Sequence, residues 1–151
     1  AGSAILVQAA LDGAAQIDAF ARRNGKSFNH ALELKRKVEA RTFCQVNIYP
    51  FEDEKQLKKS ISESDILANC TNIGMGIGNT ETPISPACIK PGMVVAEAIN
   101  TPRETQLLLE AKKIGCRTFS GLGVNDQQSV VADQIRYGVK IPIEEIRAQL
   151  S

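Results

Sequence analysis

The stretch Asp65-Ile66-Leu67-Ala68-Asn69-Cys70-Thr71-Asn72-Ile73-Gly74-Met75 decides how the chain is expected to fold. Its first half is an uncharged apolar run after a helical pattern rich in Lys and Glu, which is typical of a parallel strand buried on both faces. Its second half is polar and reaches a glycine, so hydroxyl, amide and bare backbone groups would stand at the carboxyl edge of a sheet, where open α/β sheets bind ligands. Taken alone, the segment is explained equally well as a buried strand with an ordinary polar exit.

Length and composition exclude several classes of protein. The 151 residues, 43% of them hydrophobic, are enough for one domain with a proper core. The net charge of +1 gives no reason to expect nucleic acid or an anionic membrane surface as a partner. No apolar run approaches the roughly 18 residues that indicate a membrane-spanning helix, and the start of the chain lacks the basic flank of a signal peptide.

The residue types that bind metals are scattered along the chain. The four cysteines, Cys44, Cys70, Cys88 and Cys116, form no C-x-x-C pair, and we interpret them as small buried hydrophobic residues in a reducing compartment. His30 is the single histidine, which rules out a multi-histidine metal site. We therefore expect no metal and a cytoplasmic location.

Helical and strand patterns alternate along the chain. Helices are expected over residues 3–12, from Asn29 to about 41, over 52–62, from Pro102 to about 114, over about 126–137 and over 143–150, and strands over 16–21, 43–49, from Asp65 onward, over 93–99 and over 117–120. Gly121-Leu122-Gly123 is expected to form a tight turn before the helix that follows. The alternation predicts a doubly wound, Rossmann-like α/β fold, with a mostly parallel sheet and helices on both faces.

The chain opens on a helix and not on the strand that ought to precede it. Ala1-Gly2-Ser3 resembles the tail of a glycine-rich turn whose strand and leading glycines lie upstream. That strand is central in the doubly wound order, and its removal would leave two neighbouring strands without hydrogen-bond partners. We therefore expect a sheet that lacks its first strand, in a fragment of a longer polypeptide or in a chain whose missing piece comes from elsewhere.

Motifs in a fixed order resemble the shikimate and quinate/shikimate dehydrogenase family. Residues 65–75 are similar to its D-I-L-x-N-x-T-x-x-G-M segment, and residues 91–95 to the P-G-x-x-V strand that follows. Residues 102–111 resemble its N-P-x-x-T-x-L-L-x-x-A helix, and residues 115–128 its G-x-x-x-x-x-G-x-G-M-L-x-x-Q stretch. Residues 20–23 resemble the F-N-R-R strand end of the quinate/shikimate branch.

The resemblance implies a two-domain enzyme of which this chain is one part. Residues 1–151 would be its NAD(P)-binding domain, truncated at the N-terminus and ending in helices at about 126–150. The family reversibly reduces the 3-keto group of dehydroshikimate or dehydroquinate with a nicotinamide cofactor, and the proton is handled by an N-terminal substrate domain that is absent here. We therefore expect no catalytic residue in this chain and no activity from it alone. The expected partners are a small substrate of the shikimate or quinate class and the N-terminal substrate domain, and the protein is compatible with a homodimer.

The resemblance also implies which residues contact the adenosine half of the cofactor. Gly2 and Ser3 would present the N-terminus of a helix to the pyrophosphate, unless they form a frayed chain end. Arg22 and Arg23 would bind a 2′-phosphate, which favours NADP with NAD as the alternative, unless they are a solvated surface pair. Ala21 stands where the family has Asn, which removes a polar contact with the adenosine ribose.

The remaining cofactor contacts are expected at two strand ends and one glycine. Thr71 and Asn72 could touch a ribose or a phosphate of the cofactor. Ala98 and Ile99 lie where the family lines the nicotinamide, and Gly121 would let the backbone approach the carboxamide or would be a plain turn glycine.

Substrate contacts are expected at Gln128 and Asn100. Gln128 corresponds to a glutamine that binds a substrate hydroxyl in the family, whereas Asn100 replaces a tyrosine that approaches the substrate. Asn125 and Asp126 also depart from the family pattern and would make the pocket wetter. Two other hypotheses therefore stay open, namely a noncatalytic dinucleotide-binding module and a dehydrogenase for another polyol.

Overall fold

A computed structural model of the chain describes residues 1–139 and 142–145. Helices and strands alternate in this part of the chain. In order they are α1 (Gly2–Leu11), β1 (Gln16–Ala21), α2 (Lys26–Glu39), β2 (Gln45–Pro50), α3 (Glu54–Glu63), β3 (Ile66–Asn69), a short 3-10 helix (Pro86–Cys88), β4 (Val94–Glu97), α4 (Gln106–Lys113), β5 (Arg117–Phe119) and α5 (Gly121–Tyr137). The chain divides into two compact units, the first unit (Ala1–Ser64) and the second unit (Asp65–Ser151).

The first unit is a two-stranded parallel sheet of β1 and β2 with helices on both faces. Its core is an apolar cluster formed by Leu6, Ala10, Val38, Cys44 and Val46, with Val7, Ala14, Ile17, Ala19, Leu34 and Ile48 packed against it. Because side chains alternate along a strand, Asp18 faces away from Ile17 and from that cluster. On that opposite face Asp18 accepts a hydrogen bond from Ser60 of α3. The sheet therefore lies between α1 and α2 on one side and α3 on the other.

The second unit is a three-stranded parallel sheet in the order β3-β4-β5. Val95 in the central strand is fully buried, and α4 covers the sheet with Leu107, Leu108 and Ala111, which are spaced along one helix face. Within the described residues, β1 and β3 each stand at the edge of a sheet. The predicted class, a Rossmann-like parallel α/β fold, is confirmed.

Three predicted helix starts are wrong. Helix α2 begins at Lys26 after an N-cap at Gly25, four residues before the predicted N-cap at Asn29. Helix α4 begins at Gln106 and not at Pro102, because the Thr105 hydroxyl accepts from the Leu108 N–H and so caps the helix there. Residues 102–105 are not helical.

The third error concerns α5, which begins at Gly121 and not near 126. The predicted turn Gly121-Leu122-Gly123 is therefore the first turn of a helix. Of the last predicted helix, residues 143–145 are helical, whereas 146–150 lie outside the described residues. No helix in the described ranges is long and apolar enough to cross a membrane.

The interpretation of the cysteines as buried hydrophobic residues holds for only part of the set. Cys44 and Cys116 are buried and Cys88 is half-buried. Cys70 is exposed, because it follows the last residue of β3 and has already left the sheet.

Candidate cofactor site

The carboxyl end of β1 leads into a tight turn that carries two arginines. The Gly25 N–H donates to the Arg22 carbonyl at 3.1 Å, and Asn24 adopts a left-handed backbone conformation with φ of 62°. Asn tolerates that conformation better than most residues. Arg22 and Arg23 are both exposed, so their guanidinium groups are open to a ligand from solvent.

A carboxylate that sequence reasoning missed lies beside this turn. The backbone N–H of Arg23 donates to both carboxylate oxygens of Glu52, each at 3.2 Å. Glu52 comes from the chain just after β2, and its position is set by the Phe51 N–H, which donates to the Ala21 carbonyl at 2.8 Å and extends the β1–β2 pairing. A negative charge therefore sits at the same sheet edge as the two arginines. The sequence signal was an acidic residue three positions after the end of the strand predicted over 43–49.

The other predicted contacts of the first unit begin helix α1. Gly2 is half-buried and Ser3 is exposed, and no side chain caps this end of the helix. A four-residue turn joins α1 to β1, so the helix runs back along the strand and its N-terminus faces the edge where Ala21 ends. Lys26 is a further exposed cation at this edge, at the first position of α2, and was also missed.

In the second unit, the end of β3 has a defined polar structure. The side-chain oxygen of Asn69 accepts from the backbone N–H of Thr71 at 2.9 Å and from its hydroxyl at 2.8 Å. The same hydroxyl accepts from the Ile73 N–H at 3.1 Å. Because a hydroxyl has one hydrogen, the Thr71 oxygen retains only an acceptor position for a ligand. Thr71 and Asn72 are both exposed.

A buried carboxylate, Glu97, organises this edge of the second unit. Only 3% of Glu97 is exposed, and it is the last residue of β4. It accepts from the Asn69 amide at 3.1 Å, from the Thr105 hydroxyl at 3.0 Å and from the Ile99 N–H at 3.3 Å. Glu97 therefore connects the ends of β3 and β4 to the N-cap of α4. Sequence reasoning missed it, although an acid inside the apolar run Met93–Ile99 was a visible signal.

Gly121 lies against the segment that follows β4. A Cβ atom on Gly121 would lie 2.4 Å from the Ile99 carbonyl oxygen and 2.8 Å from the Ala98 carbonyl carbon, so only glycine fits. The structure thus brings Ala98, Ile99 and Gly121 together. It also gives Gly121 a packing role that does not depend on a cofactor.

The two predicted substrate contacts are both exposed. Asn100 follows Ile99 directly, whereas Gln128 is on α5, seven residues after Gly121. At 1.5 Å per residue, that separation is about 10 Å along the helix axis. Whether Gln128 and Asn100 contact a substrate stays a prediction. Within residues 1–139 and 142–145, no cluster of His, Cys, Asp and Glu side chains could hold a metal ion.

Comparisons with known proteins identify relatives for nearly the whole chain. No protein-family model matches it. A curated shikimate dehydrogenase (NADP(+)) of Listeria monocytogenes serotype 4b (strain F2365) is 34% identical over 148 residues, which are 97% of this chain and 50% of that protein. The chain therefore spans about half the length of the curated relatives it matches.

Solved structures agree with the sequence comparison. Shikimate 5-dehydrogenase from Listeria monocytogenes, in complex with shikimate and NAD, has a TM-score of 0.88 and 34% identity, and the match covers 98% of this chain and 51% of that chain. Ligand-free 5-ketofructose reductase of Gluconobacter sp. strain CHM43 has a TM-score of 0.74 and 28% identity, over 94% of this chain and 49% of that chain. The chain is thus homologous to the C-terminal, cofactor-binding half of shikimate and quinate/shikimate dehydrogenases, as its motifs predicted.

Proposed function

We propose that this chain is the cofactor-binding part of a dehydrogenase that reversibly reduces a 3-dehydroshikimate-like ketone, with NADP as the expected cofactor and NAD as the alternative. The observation that carries the proposal is the exposed turn from Arg22 to Gly25 at the carboxyl end of β1. Its two guanidinium groups suit a 2′-phosphate, because they are permanently charged and bind phosphate oxygens in pairs. The names of the sequence relatives support the same assignment.

The remaining contacts follow from what each group can donate or accept. In our proposal the N-terminus at Gly2 and Ser3 faces the pyrophosphate, because unpaired helix N–H groups attract anions. The Thr71 hydroxyl already donates its hydrogen to Asn69, so it would accept from a ribose hydroxyl rather than donate to a phosphate. The neighbouring Asn72 would supply an amide to the same part of the cofactor.

The nicotinamide end is assigned to the second unit. Ala98 and Ile99 would line the ring, and the bare backbone at Gly121 would approach the carboxamide. Asn100 and Gln128 would bind the hydroxyl groups of the substrate, for which their exposed amides are suited. We assign the proton transfer to a separate substrate domain, so this chain alone should bind the cofactor without turnover.

The test is a fluorescence titration of the full-length natural protein with NADPH and with NADH. In the double variant Arg22→Gln/Arg23→Gln, the Kd for NADPH should rise roughly tenfold to a hundredfold. This factor corresponds to the free energy of hydrogen bonds between charged groups. The Kd for NADH should change little, because NADH has no 2′-phosphate. No saturable binding of either cofactor by the unaltered protein would refute the proposal.

A matched control separates the local effect from a general loss of positive charge. Arg36 and Arg41 are exposed and belong to the same unit. The double variant Arg36→Gln/Arg41→Gln removes the same charge away from the turn, so NADPH binding should stay close to that of the unaltered protein. An equal loss in both double variants would mean that the 2′-phosphate is not bound at Arg22 and Arg23.

A second candidate function is favoured by the likeness to 5-ketofructose reductase. At 28% identity this relative is close enough for a dehydrogenase of another polyol to be considered. Assays of the full-length protein with shikimate, quinate and 5-ketofructose distinguish the candidates. Turnover of shikimate or quinate that falls in Gln128→Ala supports the first proposal, and turnover of 5-ketofructose alone supports the second. Cofactor binding without turnover of any of them supports a noncatalytic module.

A cytoplasmic location and a homodimer are further parts of the proposal. Cys44, Cys70, Cys88 and Cys116 are all free thiols, which is typical of a reducing compartment. Apolar side chains at the end of α5, Ile135 and Tyr137 among them, are exposed and suit contact with another copy. Cell fractionation and sedimentation equilibrium are the respective measurements.

A further inference from the structure

We propose that Glu52 is a specificity-determining residue, whose carboxylate favours NAD and disfavours the 2′-phosphate of NADP. This inference rests on the proposed cofactor site and adds a residue that opposes the two arginines. The observation behind it is the pair of hydrogen bonds from the Arg23 backbone N–H to both oxygens of Glu52, each at 3.2 Å. A carboxylate thus occupies the amide that an anionic ligand at this turn would otherwise reach.

The surrounding backbone holds Glu52 at this place. On its N-terminal side, the Phe51 N–H donates to the Ala21 carbonyl at 2.8 Å, one step beyond the last paired residues of β1 and β2. On its C-terminal side, the Asp53 N–H donates to the Pro50 carbonyl at 3.0 Å, and the Asp53 carboxylate caps α3. The backbone on both sides of Glu52 is therefore held by hydrogen bonds, and the Glu52 side chain lies at the carboxyl edge of the sheet.

The arginine turn is equally well defined on its side of the contact. The turn closes between Arg22 and Gly25, and Gly25 then begins α2 as its N-cap. The Arg23 amide therefore has a set direction, and the acceptor in front of it is the Glu52 carboxylate. The contact depends on the backbone of Arg23, so it would survive replacement of the arginine side chain.

The chemistry of the two cofactors differs at this point by one group. The 2′-hydroxyl of NAD can donate to a carboxylate, which is the usual way in which an acidic residue at such an edge selects NAD. The 2′-phosphate of NADP is an anion and would have to displace Glu52 from the amide or tolerate a like charge beside it. Arg22 and Arg23 attract that phosphate while Glu52 repels it, so the discrimination between the cofactors should be weak.

The experiment measures the ratio of the Kd values for NADPH and NADH in the full-length protein and in Glu52→Gln. Glutamine keeps an oxygen for the Arg23 amide and removes only the charge. Because exposed charge pairs have small energies, we expect roughly threefold tighter NADPH binding and roughly threefold weaker NADH binding. The two effects combine to a ratio about tenfold more favourable to NADPH.

Glu54→Gln is the matched control, because Glu54 is exposed, lies two residues further on in the first turn of α3 and carries the same charge. In Glu54→Gln, the ratio of the Kd values for NADPH and NADH should equal that of the unaltered protein. In Glu52→Ala, which also frees the amide, the gain in NADPH affinity should be at least as large as in Glu52→Gln.

The outcomes separate this inference from the proposed function. A change of the Kd ratio in favour of NADPH that is larger in Glu52→Gln than in Glu54→Gln supports the role of Glu52, and a change in favour of NADH overturns it. Saturable NADPH binding with the same ratio in all variants overturns the role of Glu52 and leaves the cofactor site standing. Absence of binding to either cofactor overturns both.

Discussion

Each of the two units contains a carboxylate that joins neighbouring parallel strands to a helix, but the two carboxylates have different structural roles. In the first unit this residue is Asp18 of β1. It accepts from the amide of Asn47, its direct partner on β2, at 2.9 Å and from the Ser60 hydroxyl of α3 at 2.5 Å. Asp18 is half-buried in the middle of its strand.

Glu97 repeats the arrangement in the second unit. Its direct partner on β3 is Asn69, whose amide donates to it, and the hydroxyl comes from Thr105 at the start of α4. Glu97 differs from Asp18 in being fully buried and in being the last residue of its strand. The comparison teaches that a mid-strand carboxylate braces sheet against helix, whereas one at the carboxyl edge also sets the loop that contains Thr71.

The largest expected effect follows from removing the buried member of this pair. In Glu97→Ala, the buried Asn69 amide and Thr105 hydroxyl lose a shared acceptor, so the free energy of unfolding should fall by about 3 kcal/mol. Asp18→Ala should cost about 1 kcal/mol, because Asp18 and its donor Asn47 are only half-buried, so water can replace the carboxylate at the Asn47 amide. Urea unfolding measures both values, and equal losses would remove burial as the difference between the two carboxylates.

The second expected effect tests how closely the edge of the second unit is packed. Gly121→Ala puts a methyl group within 3 Å of backbone at Ile99 and should destabilise the protein by about 2–3 kcal/mol. Gly123→Ala is the control, since Gly123 is in the same helix with nothing within 4 Å of the added Cβ. Alanine there should stabilise by about 0.5–1 kcal/mol, because it favours helix. Thermal melting of both variants checks the opposite signs.

The smallest expected effect concerns the pH dependence of the first unit. Burial raises the pKa of Asp18. The hydrogen bonds from Ser60, Asn47 and Gln16, together with the charge of Lys59, lower this pKa by more than burial raises it, so the pKa lies below the ordinary 3.8. The stabilisation from a lowered pKa is complete above the ordinary value and is lost as the pH falls through the folded-state pKa. Unfolding curves should therefore show a loss below about pH 4 that is smaller in Asp18→Asn.

Other carboxylates also titrate in that range, so the difference between the two proteins is the quantity of interest. The pKa of Glu39 is lowered by the Val46 N–H and by Lys35, and both proteins contain that contribution. If the unaltered protein and Asp18→Asn lose stability in parallel from pH 6 to pH 2, the ionised form of Asp18 is not favoured by folding, and the prediction is wrong.

Much of the fold could be predicted because it depends on local patterns. The alternation of apolar runs with amphipathic stretches predicted β1 over its observed range, the parallel pairing and the Rossmann-like class. The errors lie at the starts of α2, α4 and α5, where a cap or a close approach decides the boundary. For example, the Ile99 backbone can pass close to the first residue of α5 only because Gly121 has no side chain.

The candidate site, like the fold, has features that the sequence predicts and features that only the structure reveals. The sequence by itself determined the kinds of group at the strand ends, such as the arginines at 22 and 23 and the hydroxyl at 71, because these follow directly from residue order. Only the tertiary structure decided which groups are already engaged. Glu52 meets the Arg23 amide, and Glu97 meets Asn69 across two strands, through contacts 29 and 28 residues apart in sequence. Such pairings depend on strand register and on burial, and neither is visible in a local pattern of residues.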